Sequence, residues 1–300
     1  MVTPFSLALG DTIGIISTAR KITRNELQPF LKIIDSWGLK TELGSTIDAD
    51  FNQFAGDDVL RRQDFQRMLD DPNIKAIWCA RGGYGTVRII DQLDFSTFKK
   101  NPKWIIGYSD VTVLHSHIHN FGIETLHADM VMGLSLKTDA TRDSVRDVIF
   151  GRKYGIEITS EANNLNREGT AKGQLVGGNL SLLYSLIGSS SALETKGKIL
   201  FIEDLDEMLY HIDRMMQNLK RNGLLKDLAG LIVGGMSDMK DNTIPFGKTS
   251  EEIIKEAVSG YDYPVCYNFP AGHIHDNRAL VLGRKVLLKI EKSSITLSFN

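Results

Sequence analysis

The first 120 or so residues alternate short apolar runs with segments of helical spacing, and a chain that keeps repeating this alternation is confined to a parallel sheet covered by helices. Thr12 to Ser17 is a β-branched run after Gly10-Asp11, and Asn25 to Trp37 sets Leu27, Phe30, Leu31 and Ile34 on one helical face. A polar helix over Asp58 to Leu69, an apolar strand Ile74 to Ala80, a glycine loop, a helix from Thr86, a strand Trp104 to Gly107 and a helix from Asp110 continue the series. The predicted fold class is therefore α/β, opening with an N-terminal parallel sheet flanked by helices.

Between about 150 and 173 the texture changes to polar stretches such as Glu161-Ala-Asn-Asn-Leu-Asn166, with glycines at 151, 155, 169 and 173. This predicts an N-terminal domain over 1–155, a crossing segment over 156–172 and a smaller, mixed α/β C-terminal domain over 173–300. The second half offers a helix after Asn179, a strand Lys198 to Ile202, a long helix from about Glu207 to Asn222 and strands Leu231 to Gly234 and Pro264 to Asn268. It closes on a hairpin, Lys285 to Glu291 and Ser294 to Phe299, turning at Lys292-Ser293.

Hydrophobic residues at 42% and charged residues at 24% supply a core and argue against disorder. A net charge of -2 leaves no electrostatic footprint for nucleic acid or an anionic membrane, so neither is an expected partner. Two cysteines exclude a disulfide framework, and Cys79 sits in the apolar run Ile77 to Ala80 as a buried hydrophobe would. The N-terminal residues lack the basic and apolar regions of a secretory signal, and no apolar run is long enough to span a bilayer, which places the expected location in the cytoplasm.

Chemistry concentrates at strand ends. In Ile105-Ile106-Gly107-Tyr108-Ser109-Asp110-Val111 an apolar strand stops and a helix starts with a serine between them, above the carboxyl ends of the strands where open α/β sheets place their sites. The helix N-terminus there can stabilise an oxyanion, as in a nucleophile elbow. Val111 replaces the second glycine of that motif, however, and the same placement suits a serine that merely caps its helix. Arg81-Gly82-Gly83-Tyr84-Gly85 after another strand lets amides approach a ligand, although a plain tight turn has the same composition and Arg88 spoils a dinucleotide fingerprint. His115 and His119 lie one turn apart, but Ser116 stands where a zincin needs glutamate, so no metal is called for. Glu203 ends a strand while Asp206 and Glu207 suit a helix N-terminus. His273 and His275 share a glycine- and proline-punctuated loop and are not separable by spacing.

In this order the segments resemble the LD-carboxypeptidase family of serine peptidases. The resemblance runs almost end to end, through Gly10-Asp-Thr-Ile-Gly-Ile, Arg81-Gly-Gly-Tyr-Gly85, Gly107-Tyr-Ser-Asp110, Gly177-Gly-Asn-Leu180, Ile202-Glu-Asp204, Ile212-Asp-Arg214 and Gly272-His273 with Asp276-Asn277. It implies a Ser-His-Glu triad of Ser109, His273 and Glu203, with Glu207 the weaker candidate acid, and an oxyanion hole from the amides of Asp110, Gly82 and Gly83. It further implies a two-domain homodimer, no cofactor, and release of terminal D-alanine from murein tetrapeptides. A related action on aminoacyl- or peptidyl-nucleotide conjugates is the alternative within the family, and a non-catalytic binding protein the alternative outside it. Arg81 is the expected partner of the muropeptide's free carboxylate, since guanidinium binds carboxylate bidentately, with Tyr84 and Asn179 from the matching motifs as further contacts. Two stretches depart from the family pattern: His127-Ala-Asp-Met130 for His-Gly-Pro-Met, and Leu280-Val-Leu-Gly283 for Leu-Pro-Leu-Gly.

Overall fold

The computed structural model describes residues 1–159 and 165–299. The first half runs β1 (Thr12–Ile16), α1 (Arg24–Ser36), β2 (Lys40–Leu43), α2 (Asp58–Asp70), β3 (Ile74–Cys79), α3 (Ser96–Lys100), β4 (Trp104–Gly107), α4 (Thr112–His119), β5 (Thr125–His127), α5 (Val131–Leu134) and α6 (Asp139–Ile149). The second runs β6 (Gly155–Thr159), β7 (Gly169–Asn179), α7 (Leu180–Ser185), β8 (Ile199–Leu205), α8 (Leu209–Arg221), β9 (Gly230–Ser237), α9 (Ser250–Ala257), β10 (Val265–Cys266), β11 (Leu280–Leu282), β12 (Lys285–Ile290) and β13 (Ser294–Phe299).

Two sheets result. One has the order β11-β5-β4-β3-β1-β2, parallel from β5 to β2; the other has the order β10-β9-β8-β7-β12-β13-β6, parallel from β10 to β7 and antiparallel beyond. Alternation along the strands explains the layers. Ile13, Ile15, Trp78 and Ile106 face Leu27, Phe30 and Ile34 of α1, whereas Ile77, Cys79 and Ile105 face Phe65 and Met68 of α2 and Leu114 and Ile118 of α4. Each such large side chain taken from water stabilises the fold by roughly 1.5–3 kcal/mol. α1 begins at a capping box in which Thr23 and Glu26 exchange side-chain and backbone hydrogen bonds.

Three differences from the sequence reading have physical causes. The stretch 156–172, expected as a linker, supplies β6 and the start of β7, because Ile156 and Ile158 alternate with polar neighbours on an edge strand too short to stand out. Most of Glu161 to Asn166 lies outside the described residues. The helix expected from Thr86 is two 3-10 turns, Thr86–Arg88 and Ile90–Gln92; Thr86 is held sideways, its hydroxyl on Thr18 and its N–H on Asp110 Oδ2. Finally, β11 returns from the C-terminal half to pair antiparallel with β5, so the first sheet is not built from the first half alone. No helix among the described residues is long and apolar enough to cross a membrane.

Candidate active site

Ser109 occupies the turn that joins β4 to α4. Its φ is 60°, a left-handed conformation that costs a non-glycine residue about 1–3 kcal/mol and that clusters at functional turns. It opens a 3-10 turn, Ser109–Val111, that leads into α4, and neither that turn nor α4 has a side-chain cap, so Ser109 is not the capping serine that its position also allowed. Below the turn, His115 of α4 bridges Gly107 O at 2.9 Å and Thr125 Oγ1 at 2.8 Å. Burial drives its proton affinity down to about 4, and the same cause brings His119, which contacts Lys198 Nζ, to about 4. Both helical histidines are thus neutral structural posts.

The glycine loop after β3 presses against this turn. A Cβ on Gly82 would lie 3.3 Å from Ser109 Cβ, and Gly83 has φ 106° with its Cα face covered by the Arg20 side chain. The loop is anchored from beneath by Arg61, which is fully buried and donates to Thr18 O at 2.6 Å and Gly85 O at 3.0 Å. Among the described residues, the N–H groups of Gly82, Gly83 and Asp110 donate to no protein acceptor. The unspent amides of Gly82 and Asp110 therefore flank one strained serine, with that of Gly83 next along the loop. Asp110 itself is buried, its carboxylate accepting from Thr86 N–H at 2.9 Å; burial pushes its proton affinity up against the contribution of these hydrogen bonds.

The second sheet brings the base. Along β8, Ile199, Phe201 and Glu203 alternate with Leu200, Ile202 and Asp204, so Glu203 and Asp204 point to opposite faces. Glu203 is fully buried and accepts from His273 Nδ1 at 2.6 Å and from the His273 N–H at 3.1 Å. With Nδ1–H donated to a carboxylate, Nε2 is the free lone pair. Gly272 makes this approach possible, since with φ 106° a Cβ there would fall 2.7 Å from Glu203 Cβ. Burial works against a charged imidazolium, but Glu203 and then Asp204 outweigh it and hold the His273 ring above its ordinary proton affinity. The imidazole centroid lies 4.6 Å from the ring of Tyr108, the residue before Ser109. Ser109 Oγ makes no hydrogen bond within the described residues, to His273 or any other group.

The pairing separates candidates that spacing left together. His275 is exposed, whereas His273 is bonded to the buried acid. Glu207 accepts instead from His211 Nδ1 at 2.6 Å, four residues along the chain. Asn179 is 3% exposed and spent internally: its amide donates to Asp204 Oδ1 at 2.8 Å and its carbonyl caps α7 through Leu182 N–H and Ser181 Oγ. Its own N–H donates to Thr112 Oγ1 at 3.0 Å, tying α4 to β7. Arg81 donates to Lys21 O at 3.1 Å and stands 4.0 Å from Glu26 Oε1, while Tyr84 is exposed with its ring 6.3 Å from that of Phe54. Asp204, which sequence reasoning had left unassigned, accepts from Asn179, Ser181 N–H and Leu205 N–H, and burial followed by the charge of Glu203 raises it to about 7. Burial pushes the thiols of Cys79 and Cys266 up to about 12, which leaves neither as a nucleophile.

Comparison with known proteins gives this arrangement its context. Residues 13–128 match the LD-carboxypeptidase N-terminal domain and residues 172–288 the LD-carboxypeptidase C-terminal domain. The chain belongs to the LD-carboxypeptidase family. A probable murein peptide carboxypeptidase of Bacillus subtilis is 35% identical over 303 residues, spanning 97% of this chain and 93% of its own. The microcin C7 self-immunity protein of Escherichia coli is 26% identical, spanning 97% of this chain and 94% of its own. A structure of that protein with glutamyl sulfamoyl guanosine shares the fold with a TM-score of 0.85 at 23% identity, over 98% of each chain. The muramoyltetrapeptide carboxypeptidase from Oxalobacter formigenes superposes with a TM-score of 0.87 at 25% identity, over 96% of this chain and 98% of its own. As a member of the LD-carboxypeptidase family this chain is a peptidase.

Proposed function

We propose that this peptidase is a serine carboxypeptidase that hydrolyses the L,D bond releasing terminal D-alanine from murein tetrapeptides, with Ser109 as nucleophile, His273 as general base and Glu203 as the acid that orients it. The observation that carries the proposal is the 2.6 Å pairing of His273 Nδ1 with a fully buried Glu203, on a ring packed against Tyr108 beside the strained Ser109. Glu203 fixes the tautomer that leaves Nε2 to take the Ser109 proton as Oγ attacks the carbonyl carbon. The tetrahedral oxyanion then accepts from the unspent amides of Gly82, Gly83 and Asp110. Collapse expels the D-alanine amine, which takes its proton from the imidazolium, and water attacks the acyl-enzyme by the same route in reverse. The unmade contact between Ser109 Oγ and His273 is one that substrate binding completes, as catalytic hydrogen bonds in unliganded enzymes often are. Arg81 and Tyr84 remain the proposed contacts for the free carboxylate and the peptide; Asn179 is better suited to holding α7.

A second reading, cleavage of aminoacyl- or peptidyl-nucleotide conjugates by the same triad, is favoured by the similarity to the microcin C7 self-immunity protein. D-alanine release from purified tetrapeptide, assayed beside a panel of nucleotide conjugates, separates the two. Wild type should release D-alanine with or without a chelator, and Ser109→Ala should lower the rate by about 10⁴-fold or more, as loss of a triad nucleophile does. Release that Ser109→Ala leaves intact would remove the serine mechanism; cleavage of the conjugates alone would move the substrate.

A further inference from the structure

The loop that carries His273 is gripped from the opposite sheet by a carboxylate in one of the stretches that depart from the family pattern. Asp129 follows β5 and is 1% exposed. Its Oδ2 lies 3.2 Å from Lys137 Nζ and accepts from Asn277 Nδ2 at 3.2 Å. The fully buried Asn277 in turn accepts, through Oδ1, from the Gly272 N–H at 2.8 Å. Lys137 donates to Ile274 O at 2.6 Å. Gly272 and Ile274 are the two neighbours of His273, so both sides of the proposed base run back to one carboxylate, through an amide on one side and an ammonium on the other.

We propose that Asp129 is a positioning residue for the reaction, acting through Asn277 and Lys137 to hold the His273 imidazole against the Ser109 turn and to keep the Lys137 charge matched beside it. The inference rests on the proposed role of His273 as base. The groups that face the imidazole are Glu203 from β8, His127 from β5, the Tyr108 ring, and Lys137 from the α5–α6 connection, while the charge of Asp204 reaches it from the other face of β8. Of these, Lys137 disfavours the imidazolium while the two acids favour it. A buried carboxylate that pairs with that cation therefore governs both where the ring sits and how readily it takes a proton.

Two variants test this. Asp129→Asn keeps the shape and an acceptor for Asn277 but leaves Lys137 without its counter-charge. Lys137→Met removes the cation at a side chain 15% exposed and serves as the second variant if Asp129→Asn does not fold. The His273 ring should titrate at lower pH in Asp129→Asn and at higher pH in Lys137→Met, as followed by NMR, and kcat for D-alanine release should fall at least about tenfold in both with KM within about twofold, since a displaced reacting group can cost about a hundredfold. A drop in melting temperature with His273 titration and kcat unmoved would reduce the network to a structural one and overturn the proposal. If wild type releases no D-alanine, the assigned reaction fails on its own, and the titrations, which need no substrate, still decide whether Asp129 and Lys137 act on His273.

Discussion

Glu203 and Glu207 are both acidic, both near the end of β8, and only one of them touches His273. The strand period decides it: two residues after Phe201, Glu203 shares the face turned toward the His273 loop, while Glu207 lies beyond the strand and pairs with His211. Glu203→Gln should therefore lower kcat by about 10³–10⁴-fold through the wrong tautomer, as expected for the orienting acid of a triad, and Glu207→Gln should change it by no more than about threefold. Equal losses in steady-state assays of the two variants would mean that the pairing does not carry catalysis. At this scale the sequence was legible where local geometry speaks. Ser109 could be picked out because a strand and a helix meet there, and Glu203 because it ends a strand. Asn277 and Asp129 could not, because the contact that links them joins positions 148 residues apart. Spacing left His273 and His275 together, and the resemblance alone favoured His273 until the carboxylate that it meets set it apart.

The elements that place these residues depend on close backbone approach. β7 ends in Gly177-Gly178-Asn179, and these two glycines have φ of 134° and 144°. A Cβ on Gly177 would lie 1.8 Å from Phe201 O of the neighbouring β8, and one on Gly178 would strike Thr112 of α4 at 2.5 Å. The glycines thus let β7 sit between the strand that carries Glu203 and the helix that follows Ser109. Gly177→Ala should lower the free energy of unfolding in urea by about 3 kcal/mol, the upper range for overpacking, and lower activity with it. Gly260→Ala, where a Cβ meets nothing, should stay within about 0.5 kcal/mol. A stable Gly177→Ala protein would show that the β7–β8 contact relaxes at little cost. Long elements such as α1 and α8 were readable from apolar spacing. β5 and β11 were not, since three buried residues carry no period, and the edge strand β6 was hidden in a polar stretch.

On the scale of the whole molecule, two homologous domain matches suggest two separable units, and the topology argues against separating them. β11 lies at 280–282, yet it pairs with β5, and Ala279 and Val281 pack in the same core as Trp78 and Ile106. Arg284 grips Glu124 with two donors, Thr138 Oγ1 bonds Asp276, Tyr154 Oη donates to Ala279 O, and Ser144 Oγ accepts from the Ala279 N–H. A fragment of residues 1–155 would lose all of this and expose β5 as a bare apolar edge, a template for association with other chains. It should accordingly collect as aggregate or as a dye-binding, loosely packed state, and the full chain should unfold in one step. Trp37, Trp78 and Trp104 are the three tryptophans and all lie in the first half, so their fluorescence reports that half alone, whereas far-ultraviolet circular dichroism reports both. Coincident urea midpoints for the two signals are the expected result. Separated midpoints, together with a monomeric 1–155 that unfolds cooperatively, would mean that β11 decorates an independent first domain, and that Ser109 can be held in its strained turn without the sheet that supplies His273.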